Sequence, residues 1–123
     1  MHVLIVEDDM LIALSIQALL EELGAVSSQI VSSEQAAVAQ ARLYEPNLII
    51  SDLYLSEGLG ATAVQAIRSS VGPVPTLYVT AAPDEALRRD PEALVLSKPL
   101  TKSALVAALQ HLRPLISSKA GDG

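Results

Sequence analysis

Three carboxylates, one hydroxyl and one amine stand at the ends of four apolar runs. Asp8 and Asp9 follow Val3-Leu4-Ile5-Val6, Asp52 ends Leu48-Ile49-Ile50-Ser51, Thr80 closes Leu77-Tyr78-Val79, and Lys98 closes Leu94-Val95-Leu96-Ser97. Short apolar runs of this kind are the pattern of buried strands, and in open α/β sheets ligands gather outside the carboxyl ends of the strands. The five side chains therefore belong at one edge of a sheet, and their types suit cation-dependent phosphoryl chemistry. A carboxylate that accepts a phosphoryl group needs a rigid strand rim, which suits Asp52. A divalent cation must offset the repulsion between that acid and the incoming group. Magnesium takes oxygen ligands and keeps several waters, so one or two carboxylates suffice. Asp9 and Asp52 are the expected direct ligands, with Asp8 acting partly through water. Lys98 would supply a point positive charge to the phosphoryl oxygens and Thr80 a hydroxyl donor. Positioned charge is the main device for stabilising a loose phosphoryl transition state. The run Glu7-Asp8-Asp9 fits the same picture, because like charges sharing a site cost energy unless a cation or proton joins them.

The elements that must position these groups follow from periodicity. Residues 2–7 read as the first strand. The first helix carries Ile12, Ile16, Leu19, Leu20 and Leu23 at three- and four-residue spacing and ends before Gly24. A weaker strand covers about 26–31. Ser32 and Gln35 stand at capping-box spacing ahead of an Ala-rich helix to Tyr44, and Pro46-Asn47 leads into a third strand at 48–52. A glycine-bearing loop, 56–60, opens the third helix, with Val64 and Ile67 on one face. The fourth strand is 76–80. The fourth helix is short: Pro83 suits its first position, Asp84 and Glu85 its positive end, Arg88 and Arg89 its negative end, and Pro91 stops it. A fifth strand at 93–97 precedes a helix that starts near Thr101 and carries Leu105, Leu109, Leu112 and Ile116 along one stripe. Unbroken apolar strands alternating with helices predict an α/β, doubly wound (βα)5 sandwich around a five-stranded parallel sheet. One domain is expected over 1–118, with a disordered tail over 119–123.

Composition narrows the chemistry. At 123 residues the chain suits one domain with a real core, half of it hydrophobic yet with only Tyr44, Tyr54 and Tyr78 as aromatics. The absence of cysteine removes disulfides, thiolate metal sites and cysteine nucleophiles. Two isolated histidines, His2 and His111, argue against a histidine-built zinc site. A net charge of −6 with no strongly basic stretch disfavours nucleic-acid binding by this chain alone. The apolar runs fall far short of the roughly 20 residues that span a bilayer, and no basic segment precedes Val3 as in a signal peptide. The expectation is a soluble, cytoplasmic protein with no membrane contact.

Taken together, Val6-Glu7-Asp8-Asp9, Ser51-Asp52-Leu53, Thr80-Ala81 and Lys98-Pro99, in that order at the ends of the expected strands, make the chain resemble the receiver domain of bacterial two-component response regulators. The resemblance implies a flavodoxin-like sheet of strand order 2-1-3-4-5. It implies that Asp52 accepts phosphate from a partner histidine kinase or phosphotransfer protein, with Mg²⁺ held by Asp8, Asp9, Asp52 and the backbone carbonyl of Tyr54. Thr80 would swing toward the phosphoryl group, Lys98 would pair with it, and the Lys98-Pro99 bond would be cis. Such a domain is an enzyme only in promoting phosphoryl transfer to, and hydrolysis from, its own Asp52. A downstream protein or output domain would read the switch, and the face of the fourth helix, fifth strand and fifth helix is the expected homodimer surface.

The chain departs from that family in places. Many receivers carry a switch aromatic three positions before the lysine; here Val95 stands there, and Leu100 replaces the aromatic often found after Lys-Pro. Only 17 residues separate Thr80 from Lys98, which shortens the fourth helix. That feature is similar to receivers of the alphaproteobacterial general stress response. Met1 gives the expectation that nothing precedes the first strand, while an end at Gly123 leaves room for an output domain. The alternative readings are plainer. Asp8 or Asp9 could cap the first helix, Tyr54 could merely cover the third helix, and the whole could be a pseudo-receiver acting as a phosphorylation-independent interaction module. An aspartyl phosphatase is disfavoured because Tyr54 stands where its general acid would be. No G-x-G-x-x-G or P-loop pattern follows the first strand to bind a nucleotide.

Overall fold

The computed structural model describes residues 1–24 and 27–122, with side chains described through Ile116. Ten elements alternate strictly: β1 (His2–Val6), α1 (Met10–Glu22), β2 (Ser27–Val31), α2 (Glu34–Leu43), β3 (Leu48–Ser51), α3 (Gly60–Val71), β4 (Thr76–Thr80), α4 (Pro83–Arg89), β5 (Leu94–Ser97) and α5 (Lys102–Asp122). The strands form one parallel sheet in the order β2-β1-β3-β4-β5. The chain is therefore the flavodoxin-like (βα)5 sandwich that the alternating pattern predicts, with its ligand edge at the carboxyl ends of β1 and β3, where the strand order reverses. The expected disordered tail at 119–123 falls outside the residues whose side chains are described.

Two apolar layers sandwich the sheet. On one face Val3, Ile5, Leu48, Ile50, Leu77 and Val79 meet α1 and α5 through Ala13, Ile16, Leu20, Leu105 and Leu112. On the other, Leu4, Val6, Ile49 and Tyr78 meet α2, α3 and α4 through Ala37, Ala41, Val64, Ile67 and Ala86. Alternate residues of each strand thus serve opposite layers, and both layers are buried, which is why the strands read as unbroken apolar runs.

Local chemistry sets the helix ends. Asp9 caps α1: its Oδ1 accepts the Leu11 and Ile12 amides at 3.0 and 3.3 Å. Gly24 follows the C-cap with φ 88°, a left-handed conformation that costs glycine little. The cap of α2 is Ser33, whose Oγ accepts the Ala36 amide at 3.1 Å. Ser32 was the expected cap. The helix begins one residue later, with Ser33 supplying the cap and Glu34 N–H facing the Glu57 carbonyl, 3.5 Å away, in the loop after β3. Gly60 opens α3 against the chain end of β3. A side-chain carbon there would overlap the Asp52 carbonyl oxygen and lie 2.5 Å from Ser51 Oγ, so only glycine lets α3 start this close to the strand.

Candidate functional site

Parallel register brings the ends of β1 and β3 level, and those of β4 and β5 level with each other two residues further along, since Ser51 pairs with Tyr78. Val6 pairs with Ser51 and Thr80 with Ser97. The backbone bonding runs one step further: Asp52 N–H donates to Val6 O at 2.9 Å, Glu7 N–H to Val31 O at 3.0 Å, and Lys98 N–H to Thr80 O at 2.9 Å. Glu7, Asp52 and Lys98 are each the first residue past a strand, so their side chains start from rigid positions, Glu7 and Asp52 at one height and Lys98 two residues further along.

Three of the expected site residues converge. Lys98 Nζ donates to Asp52 Oδ2 at 2.8 Å. Asp52 Oδ1 accepts the Leu53 amide at 2.6 Å. Asp8 Oδ2 accepts the Ser56 amide at 2.6 Å, tying the loop after β3 to the loop after β1. Carboxylate oxygens of Glu7, Asp8 and Asp52 lie within 4.8 Å of one another, an oxygen-only cluster of the kind hard divalent cations prefer.

The cluster includes Glu7, which sequence reasoning did not single out as a ligand, and does not include Asp9, which it expected there. Asp9 is spent on α1, where its carboxylate meets two unpaired amides at the positive end of the helix. Glu7, only 2% exposed, points inward instead. Its Oε1 accepts the Asp9 amide at 3.1 Å, while Oε2 lies 3.2 Å from Lys98 Nζ. Lys98 directs its aligned hydrogen bond to Asp52, so Glu7 Oε2 is in Coulombic contact yet accepts no hydrogen bond among the described residues. The available signal was positional: Glu7 follows β1 as Asp52 follows β3, and equal register puts them side by side.

Electrostatics follow from this crowding. Burial pushes the Glu7 carboxyl above its ordinary value and the Asp52 charge adds to the effect, against the Asp9 amide and Lys98. Burial would lower the Lys98 ammonium, but its hydrogen bond to Asp52 and the charges of Asp52 and Glu7 outweigh it and hold the amine protonated. One cation thus faces a cluster of three acids. The orphaned, buried Glu7 oxygen and the negative surplus both fit a divalent cation among Glu7, Asp8 and Asp52.

The remaining residues take these places. Thr80 ends β4 fully buried, its Oγ1 accepting the Ala82 amide at 3.1 Å. Ala81 is exposed in the turn that follows. Tyr54 forms an isolated antiparallel bridge with Leu59, which folds the loop beside Asp52, and the residue is 48% exposed. Val95 is half-buried in β5 and is the register partner of Tyr78. The Lys98-Pro99 peptide is cis.

Known proteins resemble this chain. The chain is 32% identical over 114 residues to the phyllosphere-induced regulator PhyR of Methylorubrum extorquens, covering 89% of this chain and 42% of that protein. It spans less than half the length of the curated relatives it matches. Among solved structures, it resembles the anti-anti-sigma factor PhyR of Bartonella quintana, with 27% identity, a TM-score of 0.76 and coverage of 97% of this chain and 51% of that one. It also resembles the receiver domain of a sensor histidine kinase from Pseudomonas aeruginosa, with 26% identity, a TM-score of 0.76 and coverage of 89% and 94%. That structure carries a magnesium ion coordinated in its active-site cleft. The family model for the response regulator receiver domain matches residues 3–110. With nearly the whole sheet inside that match and the acids and lysine at its ligand edge, the chain belongs to the response regulator receiver domain family.

Proposed function

We propose that the chain accepts a phosphoryl group on Asp52 from a partner histidine kinase or phosphotransfer protein in the cytoplasm, and signals by the change that follows. The observation that carries this reading is the pairing of Asp52 with Lys98 at 2.8 Å inside a ring of acids. An Asp52 carboxylate oxygen forms the new bond to phosphorus. The P–N bond of the donor phosphohistidine breaks, and its electron pair returns to the imidazole nitrogen. Asp52 is pre-aimed because Oδ1 is held by the Leu53 amide, and Lys98 then faces the phosphoryl oxygens as a fixed positive charge. Thr80 turns its hydroxyl toward the same oxygens. Glu7, Asp8, Asp52 and the Tyr54 carbonyl would hold Mg²⁺, which when bound neutralises charge between acid and phosphate. The domain promotes only its own modification and hydrolysis, so it is no enzyme toward other substrates.

The resemblance to PhyR proteins, one of them described as an anti-anti-sigma factor, supports an output through a protein partner of the anti-sigma kind. Among the described residues no helix is long and apolar enough to cross a membrane. The deciding experiment is intact-protein mass spectrometry after incubation with a small acyl phosphate and Mg²⁺. A single added phosphoryl group, lost in Asp52→Asn and under chelation, is expected. No addition, together with a silent beryllofluoride titration, would instead mark a phosphorylation-independent interaction module.

A further inference from the structure

Helix α4 is fastened at both ends by side chains that stand two residues apart on β4. At its start, Thr80 Oγ1 holds the amide of Ala82, the N-cap residue, at 3.1 Å. At its end, Asp90, the C-cap residue, takes the Tyr78 hydroxyl on Oδ2 at 3.3 Å. The same oxygen receives Arg68 Nη1 from α3 at 3.0 Å, and Arg68 Nη2 donates to Thr76 Oγ1 at 2.9 Å. Thr76 passes its own hydrogen to the Val74 carbonyl at 3.1 Å. Tyr78 is fully buried and Asp90 is 7% exposed, so this is an interior network in which each of these polar side chains has a partner. Burial and the nearby Asp90 charge both push the Tyr78 phenol above its ordinary value, so it stays a donor at any physiological pH.

The two fastenings differ in kind. The Asp90 end is deep, charge-assisted and shared by α3, β4 and α4. The Thr80 end is a single neutral hydrogen bond, and it is made by a residue of the phosphoryl site. A helix of seven residues is too short to hold its shape alone, so its ends depend on these anchors. Tyr78 also lies beside Val95 in the β4–β5 register and shares a sheet face with Thr80.

We infer that Tyr78 and Asp90 form the fixed pivot of α4, and that Thr80 is its releasable end. The inference rests on the phosphoryl-accepting reading of Asp52. When the Thr80 hydroxyl turns to an anion on Asp52, its lone pairs leave the Ala82 amide. The start of α4 is freed while Asp90 stays in place. Tyr78 acts as a positioning residue: it touches no phosphoryl oxygen, but its hydroxyl decides which end of the helix moves. An aromatic on β4 thereby takes part in the readout in a chain whose β5 carries Val95.

Amide hydrogen exchange on the full chain, with and without Mg²⁺ and beryllofluoride, tests this. In the wild type, the amides of Ala82 and of residues 84–87 are expected to exchange about fivefold faster when beryllofluoride is bound, while those of Asp90 and Ala93 change by less than about twofold. Tyr78→Phe keeps the ring and removes the hydroxyl. It is expected to speed exchange at Asp90 and Ala93 about fivefold before any ligand is added. A bound wild type that loosens at 88–93 along with 82–87, or that shows no change at 82–87, overturns the pivot. Unchanged Asp90 and Ala93 protection in Tyr78→Phe overturns it as well. Should that variant fail to fold, the wild-type pattern alone decides. Fluorine NMR separates the two readings: if the wild type binds no beryllofluoride, the phosphoryl-accepting reading fails and the release of Thr80 with it. If it binds and the pivot pattern is missing, only the inference falls.

Discussion

Lys98 reaches from the end of β5 past β4 to Asp52 at the end of β3, its ammonium 2.8 Å from Oδ2, and stands 3.2 Å from Glu7 Oε2 at the end of β1. A single amine therefore bridges the ends of two strands that the sheet order places away from its own. It occupies the ground where positive charge is needed, and it competes there with any divalent cation.

Replacing Lys98 by Ala leaves Glu7, Asp8 and Asp52 without their cation. Mg²⁺ binding should be retained and strengthened, on the order of tenfold, because a unit charge a few ångströms away is removed. The response to phosphate should be lost at the same time. Calorimetric Mg²⁺ titration with exchange measurements under beryllofluoride reads both. A variant that binds Mg²⁺ more weakly, or that still switches, refutes this role.

Asp8 and Asp9 separate cleanly by amide substitution. Asn caps a helix about as well as Asp, whereas loss of a cap to Ala costs about 1 kcal/mol. Asp9→Asn is thus expected to keep both stability and phosphoryl acceptance, and Asp9→Ala to lower stability alone. Asp8→Asn should weaken Mg²⁺ binding and remove most of the labelling. Thermal melts and mass spectrometry of the labelled proteins distinguish the pair; loss of labelling in Asp9→Asn would return Asp9 to the ligand set.

Gly60→Ala places a methyl group against the Asp52 carbonyl and Ser51 Oγ, with backbone rather than a flexible side chain in the way. Overpacking of this kind costs about 1–3 kcal/mol. Since the displaced atoms belong to Asp52, labelling should slow in step with the loss in denaturation midpoint. A stable variant with wild-type labelling would mean the start of α3 yields freely.

His2 gives the fold a pH dependence remote from the site. Its Nδ1 lies 2.7 Å from Ser27 Oγ, its ring centroid is 4.2 Å from that of Tyr44, and its buried Nε2 has no hydrogen-bond partner among the described residues. Burial, and secondarily the N-terminal charge, lowers its pKa below 6.5. A depressed folded pKa means that this stabilisation is complete above the unfolded value and is lost as pH falls through the folded one. Melting temperature should therefore drop more steeply below pH 6.5 in the wild type than in His2→Gln. Parallel curves would show that His2 does not titrate against folding.

Much of this molecule is legible along the chain. The runs Val3–Val6, Leu48–Ile50 and Leu77–Val79 mark the strands because both sheet faces are covered, and burial on two sides demands unbroken apolar sequence. Pro83, Asp84, Arg88 and Arg89 mark α4 because helix ends have local chemistry. Asp52 and Lys98 stand out for the same local reason, as polar residues closing apolar runs.

Which acids share the site was not legible, nor was the anchoring of α4. In Glu7-Asp8-Asp9 the charges are equivalent in sequence, and the division of labour among them depends on where the first turn of α1 begins and on the register between β1 and β3. Tyr78, Asp90, Arg68 and Thr76 carry no shared pattern, since they come from one strand and two helices that meet only after folding. Sequence determined the elements and the ligand edge, because periodicity and caps act over a few residues. Tertiary structure alone decided which carboxylate faces the lysine and which end of α4 is held, because those outcomes are set by distances between side chains that only packing brings together.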